Sequence, residues 1–433
     1  MTVAQQVRRI LVLGLALLSL VACSVQRASS APTPPPAPAG SRTLLVLWHA
    51  WPRPEDRALA IAVERFNRTN PGIQVLLQSR QIASLRDDLA SAVAEGGGPH
   101  MAIVPSHTLG SLAEEGALLP IDGLIAASEV DRLLPAAVGA AQVRGRDGAV
   151  LYGLPLTFDT LALYYNRANF SAAPPTDSDA LLRVARGLTD TRSTPPVWGL
   201  AYNLSLDRTI GYLYAFGGRV FDETGAVVLG LDGRAGTEAW LNWLLALRED
   251  AGLLASMDGI TVDNALRTQQ ALMTIDWAHA LSNYGALWAG NLGVAPLPRL
   301  ASPNRAPQPY VQSDTLVLNA RLGDGPERAA ASAFARHLLS EPVQREFLRA
   351  GRQPVLLSLD LAADDPAVSA ELRAAAEVFR AQARAGLPMP NSRAASDIVW
   401  PVLSDMHSSA LRRLATPAQA VENADAILRA RLE

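Results

Sequence analysis

The residues able to do chemistry sit in a few places along this chain. The only cysteine, Cys23, ends the tetrapeptide Leu20-Val21-Ala22-Cys23. That tetrapeptide resembles a bacterial lipobox, in which the thiol takes a diacylglycerol group before the chain is cut ahead of it. Tryptophans close two apolar runs, at Trp48-His49-Ala50-Trp51 and at Asp276-Trp277, so indole rings lie beside hydrogen-bonding side chains. Lysine is absent from the whole chain, which removes Schiff-base chemistry and a Walker-type phosphate loop. There is no HExxH and no GxSxG, and the six histidines lack metal-ligand spacing. No metal, cofactor or catalytic residue is therefore expected.

The amino terminus is a processing segment. Arg8 and Arg9 form a small cationic region, and Ile10 to Ala22 is apolar apart from Ser19. At about 1.5 Å per residue this run reaches roughly 20 Å, short of a ~30 Å hydrocarbon core, so it reads as a signal peptide (1–22). Cys23 then either carries lipid or merely follows a signal cleavage. Acyl chains contribute about 0.8 kcal/mol per buried methylene, enough to hold the protein on a membrane. The stretch Ala31-Pro32-Thr33-Pro34-Pro35-Pro36-Ala37-Pro38 within 23–42 reads as an extended, semi-rigid tether. Ordered structure is expected from about Arg42.

Cleavage before Cys23 leaves 411 of the 433 residues, too many for one simple core, so two lobes are expected. Loss of Arg8 and Arg9 takes the 38 cations to 36 against 41 acids. With no basic stripe, no nucleic-acid partner is expected. Beyond the signal, no apolar run approaches membrane-spanning length.

Short apolar runs alternate with helical patterns, the mark of an α/β fold. Strands are expected at 43–48, 73–77, 101–104, 151–156, 161–165, 271–275, 292–297 and 311–318. Glu55 to Asn70 reads as a helix with Leu59, Ala62, Val63 and Phe66 inward. Ser84 to Glu95 reads as another, with Leu85, Leu89 and Val93 inward and Ser84 as N-cap. Further helices are expected at 109–119, 208–216, 237–250, 264–269 and, after Pro326, through most of the remaining chain, including 394–414. Gly96-Gly97-Gly98-Pro99 lacks GK[ST] and reads as a turn. Trp240 and Trp243 are assigned to packing, His337 to a structural helix, and Trp198 to the start of a strand.

Several segments, in this order, resemble the extracellular solute-binding proteins of ABC importers, group 1, which are maltose-binding-protein-like. They are Phe66 to Val75 (FNRTNPGIQV), Ala113 to Asp122 (AEEGALLPID), Leu151 to Arg167 (LYGLPLTFDTLALYYNR), Tyr214 to Gly225 (YAFGGRVFDETG), Ala271 to His279 (ALMTIDWAH), Gly293 to Pro298, Leu338 to Val355 and Thr416 to Ala424. The chain departs from the family pattern at Pro99-His100, at Asp276-Trp277, where a glycine is missing, and at Val104-Pro105-Ser106-His107-Thr108, where the maltose-binding protein carries an aromatic and a charged pair. The resemblance implies a type II periplasmic-binding-protein-like fold, two α/β lobes joined by three crossings. The amino lobe would be 43–158 plus 317–357, and the carboxy lobe 159–316 plus 358–433. Ligand would lie between lobes that close over it.

A sugar presents an apolar face and a rim of hydroxyls, so its site needs aromatic platforms with carboxylates, amides and arginines around them. On that basis Trp48, His49 and Trp51 are candidates at the first strand end, and Ser106 and His107 after the third strand. Family position adds Asp159, as ligand acceptor or turn residue. It also adds Tyr202, Asn203 and Asp207 in a ligand-side loop, Trp277 and Trp400 as stacking rings, and Arg352, as ligand contact or solvated cation. Asp276 is either a hydroxyl acceptor or a helix N-cap. The expected protein is a lipid-anchored, extracytoplasmic, monomeric receptor that hands a carbohydrate, most simply an oligosaccharide, to ABC permease subunits. Glycerol 3-phosphate or another polar solute is the alternative ligand. A secreted glycan-active enzyme and a scaffolding lipoprotein are the rival classes. The enzyme reading needs two carboxyls about 5–5.5 Å apart, which sequence spacing does not test.

Overall fold

The apolar run Thr43–His49 becomes a strand hydrogen-bonded on both sides, parallel to Ile73–Ser79 and to Met101–Pro105. Parallel neighbours need crossovers, and helices Glu55–Thr69 and Ile82–Ala94 supply them. Leu59, Ala62, Val63 and Phe66 of the first helix and Leu85, Leu89 and Val93 of the second are buried, as their spacing predicts. The sheet continues with Tyr310–Asn319, antiparallel to Met101–Pro105, then Gly153–Asp159, antiparallel to Tyr310–Asn319, and ends at Gln353–Pro354. In this computed structural model the described residues are 42–145, 148–170, 173–361, 363 and 365–432. The signal segment, Cys23 and the proline tether lie outside them. Among the described residues no helix is long and apolar enough to cross a membrane.

A second sheet has Leu161–Asn166 at its centre, antiparallel to Met273–Trp277 and Leu292–Ala295. The short strands Ala201–Asn203 and Leu254–Ser256 pair beside it. Helices Leu206–Ala215, Arg234–Glu249, Trp400–Leu411 and Pro417–Leu432 supply side chains to the core on this side, where Trp240 and Tyr212 are fully buried.

The two sheets are joined at a narrow waist. Thr160 alone separates Gly153–Asp159 from Leu161–Asn166. It is buried, and its hydroxyl donates to the carbonyl of Tyr310 at 3.1 Å. Asp159 pairs with Gln312, and Leu387–Pro388 runs parallel to Tyr310–Val311. Three passages of chain thus lie side by side. The apolar cores change there too: Tyr310 packs with the second sheet and Val311 with the first.

Several expected boundaries shift. The strand expected at 271–275 is Met273–Trp277, so Asp276 is a strand residue opposite Ala162 and not a helix N-cap. Ladder pairing to Leu161–Asn166 decides this register. Ala271 makes only an isolated bridge, to Trp198, which begins no strand. The strand expected at 151–156 is Gly153–Asp159, which puts Asp159 at its end. Ser84 lies inside its helix, where its hydroxyl donates to Asp88 at 2.9 Å; the N-cap is Gln81. The helix expected at 264–269 begins at Gly259, because the Asp258 side chain caps it by accepting from Ile260 N–H at 3.1 Å. The helix expected over 109–119 stops at Glu114, and Leu118–Leu119 instead joins the large sheet. The stretch 394–414 is a π turn, Ala395–Val399, followed by the helix Trp400–Leu411.

His407 is buried against Trp240, with ring centroids 5.5 Å apart, and its Nε2 has no partner among the described residues. Burial lowers its pKa from 6.5 to about 4, with Asp207 opposing. A depressed folded-state pKa means this contribution is complete above pH 6.5 and is lost as pH falls toward 4, by roughly 3 kcal/mol. Urea unfolding at neutral and acid pH should therefore show a smaller acid loss for H407L than for the wild type. Equal losses would refute this assignment.

Candidate ligand site

Strand ends carry the first group of candidates. Trp48 closes the first strand almost fully buried, and its indole N–H donates to Gln78 at 2.8 Å. The Arg80 guanidinium lies 3.9 Å over its ring. His49 is buried too, and its Nδ1 accepts from the backbone N–H of Trp51 at 3.3 Å. Burial lowers its pKa. Trp51 packs edge-on against Phe347 at 5.1 Å, and the Arg352 guanidinium lies 4.6 Å from its centroid. Arg352 is in turn ion-paired with Asp314, which also accepts from Thr157 at 3.2 Å. Arg352 is thus not a solvated cation. Gly351, at φ +90°, lets this turn approach Ser282: a Cβ there would overlap the Ser282 hydroxyl. Trp51 Nε1, Arg352 Nε and Gln353 Oε1 are buried with no partner among the described residues. Native structures rarely leave such groups unpaired without a reason.

The loop after the third strand behaves differently. Ser106 is fully buried, and its Oγ accepts from Ser313 N–H at 3.1 Å. His107 is partly exposed; burial lowers its pKa, while Gln312 and Asp314 oppose that.

In the second sheet one carboxylate organises its neighbours. Asp276 is nearly buried and accepts from Arg208 Nε at 3.0 Å, Arg208 Nη2 at 2.8 Å and the Tyr284 hydroxyl at 2.8 Å. Burial works against the Arg208 charge, but Asp276 and Asp207 more than offset it, so its pKa lies above the ordinary value. Burial, reinforced by Asp276, pushes the Tyr284 phenol up. Asp207 accepts from Arg208 Nη1 at 3.0 Å and from the Trp277 indole N–H at 2.9 Å. Tyr202 is buried and donates from its hydroxyl to the carbonyl of Arg208 at 2.8 Å, while Asn203 turns the loop by accepting from Ser205 N–H at 3.0 Å. Both hold the segment that presents Asp207 and Arg208.

Arg208, Asp276 and Tyr284 wall a cavity of about 640 Å³ together with His279, Asp263 and Asn283. Trp277 packs into the core beside the second sheet with 5% of its surface exposed. Trp400 is half-buried, edge-on to Tyr310 at 5.5 Å, and its Nε1 is buried without a partner among the described residues. Asp159 accepts from His279 Nδ1 at 2.6 Å and from His279 N–H at 3.3 Å, so it is more than a turn residue. Among the described residues, no group of three or more His, Cys, Asp or Glu is placed to hold a metal ion.

The structure brings Asp207, Asp276 and Trp277 into one network, and Trp51 and Arg352 into another. Trp48, Ser106 and Tyr202 use their polar groups within the fold. Sequence reasoning missed Arg208, His279, Tyr284 and Asp314. Arg208 and His279 were signalled only by standing next to Asp207 and two residues after Trp277.

Residues 62–376 match the profile of the bacterial extracellular solute-binding proteins, and the chain belongs to that family. A maltotriose-binding protein of Pyrococcus abyssi (strain GE5 / Orsay) is 27% identical over 179 residues. That match spans 41% of this chain and only 38% of the relative's length. Among solved structures, a maltose/maltodextrin-binding domain from Bdellovibrio bacteriovorus bound to maltotriose aligns with TM-score 0.72 at 24% identity, covering 90% of this chain and 100% of that one. The Thermus thermophilus maltotriose binding protein bound with maltotriose aligns with TM-score 0.71 at 24% identity over the same shares, 90% and 100%. These likenesses establish the two-lobed, type II periplasmic-binding-protein fold.

Removing a buried anion strands its partners. D276A should lose about 3 kcal/mol of stability in urea unfolding, and the paired change D276L/R208M should recover most of it. A D276A protein as stable as the wild type would show that Asp276 is not the organiser.

Proposed function

We propose that the protein captures a neutral carbohydrate, most simply an oligosaccharide, between its lobes and presents it to the permease subunits of an ABC importer. The observation that carries this reading is the Asp276–Arg208–Tyr284 network on the wall of a cavity of about 640 Å³. Carboxylates and arginines fixed against each other offer acceptors and donors at defined positions, which suits a ring of hydroxyls. The family match and the maltotriose ligands of its relatives support the same class. Trp51, Asp159, Asp207, Asp276, Arg352 and Trp400 are the proposed ligand shell of this chain, and Trp277, buried in the core, backs Asp207 through its indole N–H. The lobes are proposed to meet at the waist, with crossings at Thr160 and between Tyr310 and Val311.

The charge balance argues against glycerol 3-phosphate. Arg208 is engaged by Asp276 and Asp207, and Arg352 by Asp314. A phosphate approaching either would meet a carboxylate already in place.

Titration calorimetry with maltose, maltotriose, maltotetraose and glycerol 3-phosphate tests the proposal. At least one sugar should bind in the micromolar range with a compaction visible by small-angle scattering, and the phosphate should not bind. Turnover of a bound glycan would favour the enzyme class instead, and absence of binding by all three sugars would defeat the carbohydrate reading.

The proposed anchor is separable. Lipid on Cys23 followed by the proline tether would keep the receptor near its permease and raise its effective concentration. C23S should move the protein from the membrane fraction to the soluble fraction. Retention of C23S on membranes would rule out lipidation as the anchor.

A further inference from the structure

The His279 ring is fixed on one edge only. Its Nδ1 meets Asp159 Oδ2 at 2.6 Å, and its backbone N–H reaches Asp159 Oδ1 at 3.3 Å, so side chain and main chain are clamped by one carboxylate. The other edge is unclaimed: Nε2 has no partner among the described residues, the side chain is 54% exposed, and the residue lines the cavity walled by Arg208, Asp276 and Tyr284. The clamp bridges the waist, since Asp159 ends a strand of the large sheet and His279 follows Met273–Trp277 of the second sheet. Ala278 N–H donates to the carbonyl of Thr160 at 3.0 Å, which seats the His279 turn against the crossing itself.

We infer that His279 is a ligand-contacting residue, held by Asp159 so that its Nε2–H donates to a ligand hydroxyl in this cavity. The inference rests on the carbohydrate reading above. With Nδ1–H bound to a carboxylate, Nε2 has two states: a charged donor when the ring is protonated, and a lone-pair acceptor when it is neutral. A hydroxyl accepts more strongly from the charged donor. The charged groups facing the ring are Asp159 from its strand end, Asp276 from the adjoining strand and Arg352 from the turn opposite; Arg208 and Asp263 share the cavity wall. The bond from Asp159 is the largest influence and holds the His279 pKa above its ordinary value, with burial and Arg352 opposing. A raised folded pKa keeps the donor form below it, so ligand affinity falls as pH rises through it.

Maltotriose affinity, measured by calorimetry on the full mature chain from about pH 6 to about pH 9, tests this. Wild-type affinity should fall about tenfold across that range, and H279A should be about tenfold weaker than wild type at the acid end. H279Q retains a neutral donor and should bind with a flat pH profile. D159N should shift the fall to lower pH, and imidazole nitrogen NMR of the unliganded protein should show the same shift at His279. Should H279A and H279Q bind maltotriose with the wild-type affinity and pH profile, the contact is overturned while the carbohydrate reading stands. A flat wild-type profile beside a weakened H279A would reduce His279 to a structural part and also overturn the contact. Absence of binding by wild type to every sugar tested would overturn the carbohydrate reading, and this contact with it.

Discussion

Only Thr160 stands between the last residue of one sheet and the first of the next, and much of the site follows from that brevity. A single residue cannot wander. Its hydroxyl is bound to the Tyr310 carbonyl and its own carbonyl accepts from Ala278, so two further segments are fixed to the same point. Asp159 is thereby delivered at the end of one sheet within reach of His279 from the other. A hinge at so narrow a waist would rotate only a few backbone dihedrals, and the groups next to it would move least relative to each other. Groups near the waist, such as Asp159 and His279, are therefore held in a fixed relation to each other.

The second constraint is electrostatic. Asp276 and Arg208 are largely removed from water, with side-chain exposures of 10% and 21%. Such a pair returns its desolvation cost only when the remaining lone pairs and protons are also satisfied. Tyr284 and Asp207 do that here, and Tyr202 holds the backbone of Arg208. The result is a rigid polar wall with little net charge, which a ligand of hydroxyls can join without expelling a counter-ion.

The parts of the fold that were legible in the sequence are those governed by local periodicity. Leu59, Ala62, Val63 and Phe66 point inward because a helix must bury one stripe, and Thr43–His49 is a strand because its β-rich run pairs on both sides. Strand ends were less legible. Asp276 and Trp277 belong to a strand whose register is set by Leu161–Asn166, more than a hundred residues away, and no local signal reports that partner. The candidate site was legible where a tryptophan or carboxylate advertised itself and illegible where the arrangement depends on pairing. Asp207 was visible, yet Arg208 beside it makes the contact to Asp276. Asp314 sits mid-strand between Ser313 and Thr315, and its meaning appears only when Arg352, from a separate turn, pairs with it.

The tryptophans at the first strand end pose a related question of occupancy. Each has a guanidinium at its ring, Arg80 on Trp48 and Arg352 on Trp51. A cation over an indole contributes about 0.5–1 kcal/mol at an exposed site and about 2 when desolvated. A sugar ring that stacked on the covered face would have to displace that cation and recover the loss through its own contacts. Arg80 is exposed and its side chain makes only a long hydrogen bond, 3.4 Å, to Gln78 among the described residues, so the cost at Trp48 is small. Arg352 is held by Asp314, with 15% of its side chain exposed, so displacement from Trp51 would also break a buried ion pair. The two rings are thus unequally covered. At Trp51 the Arg352–Asp314 pair is better suited to stay and offer its own donors and acceptors at the sugar's rim than to leave the ring bare.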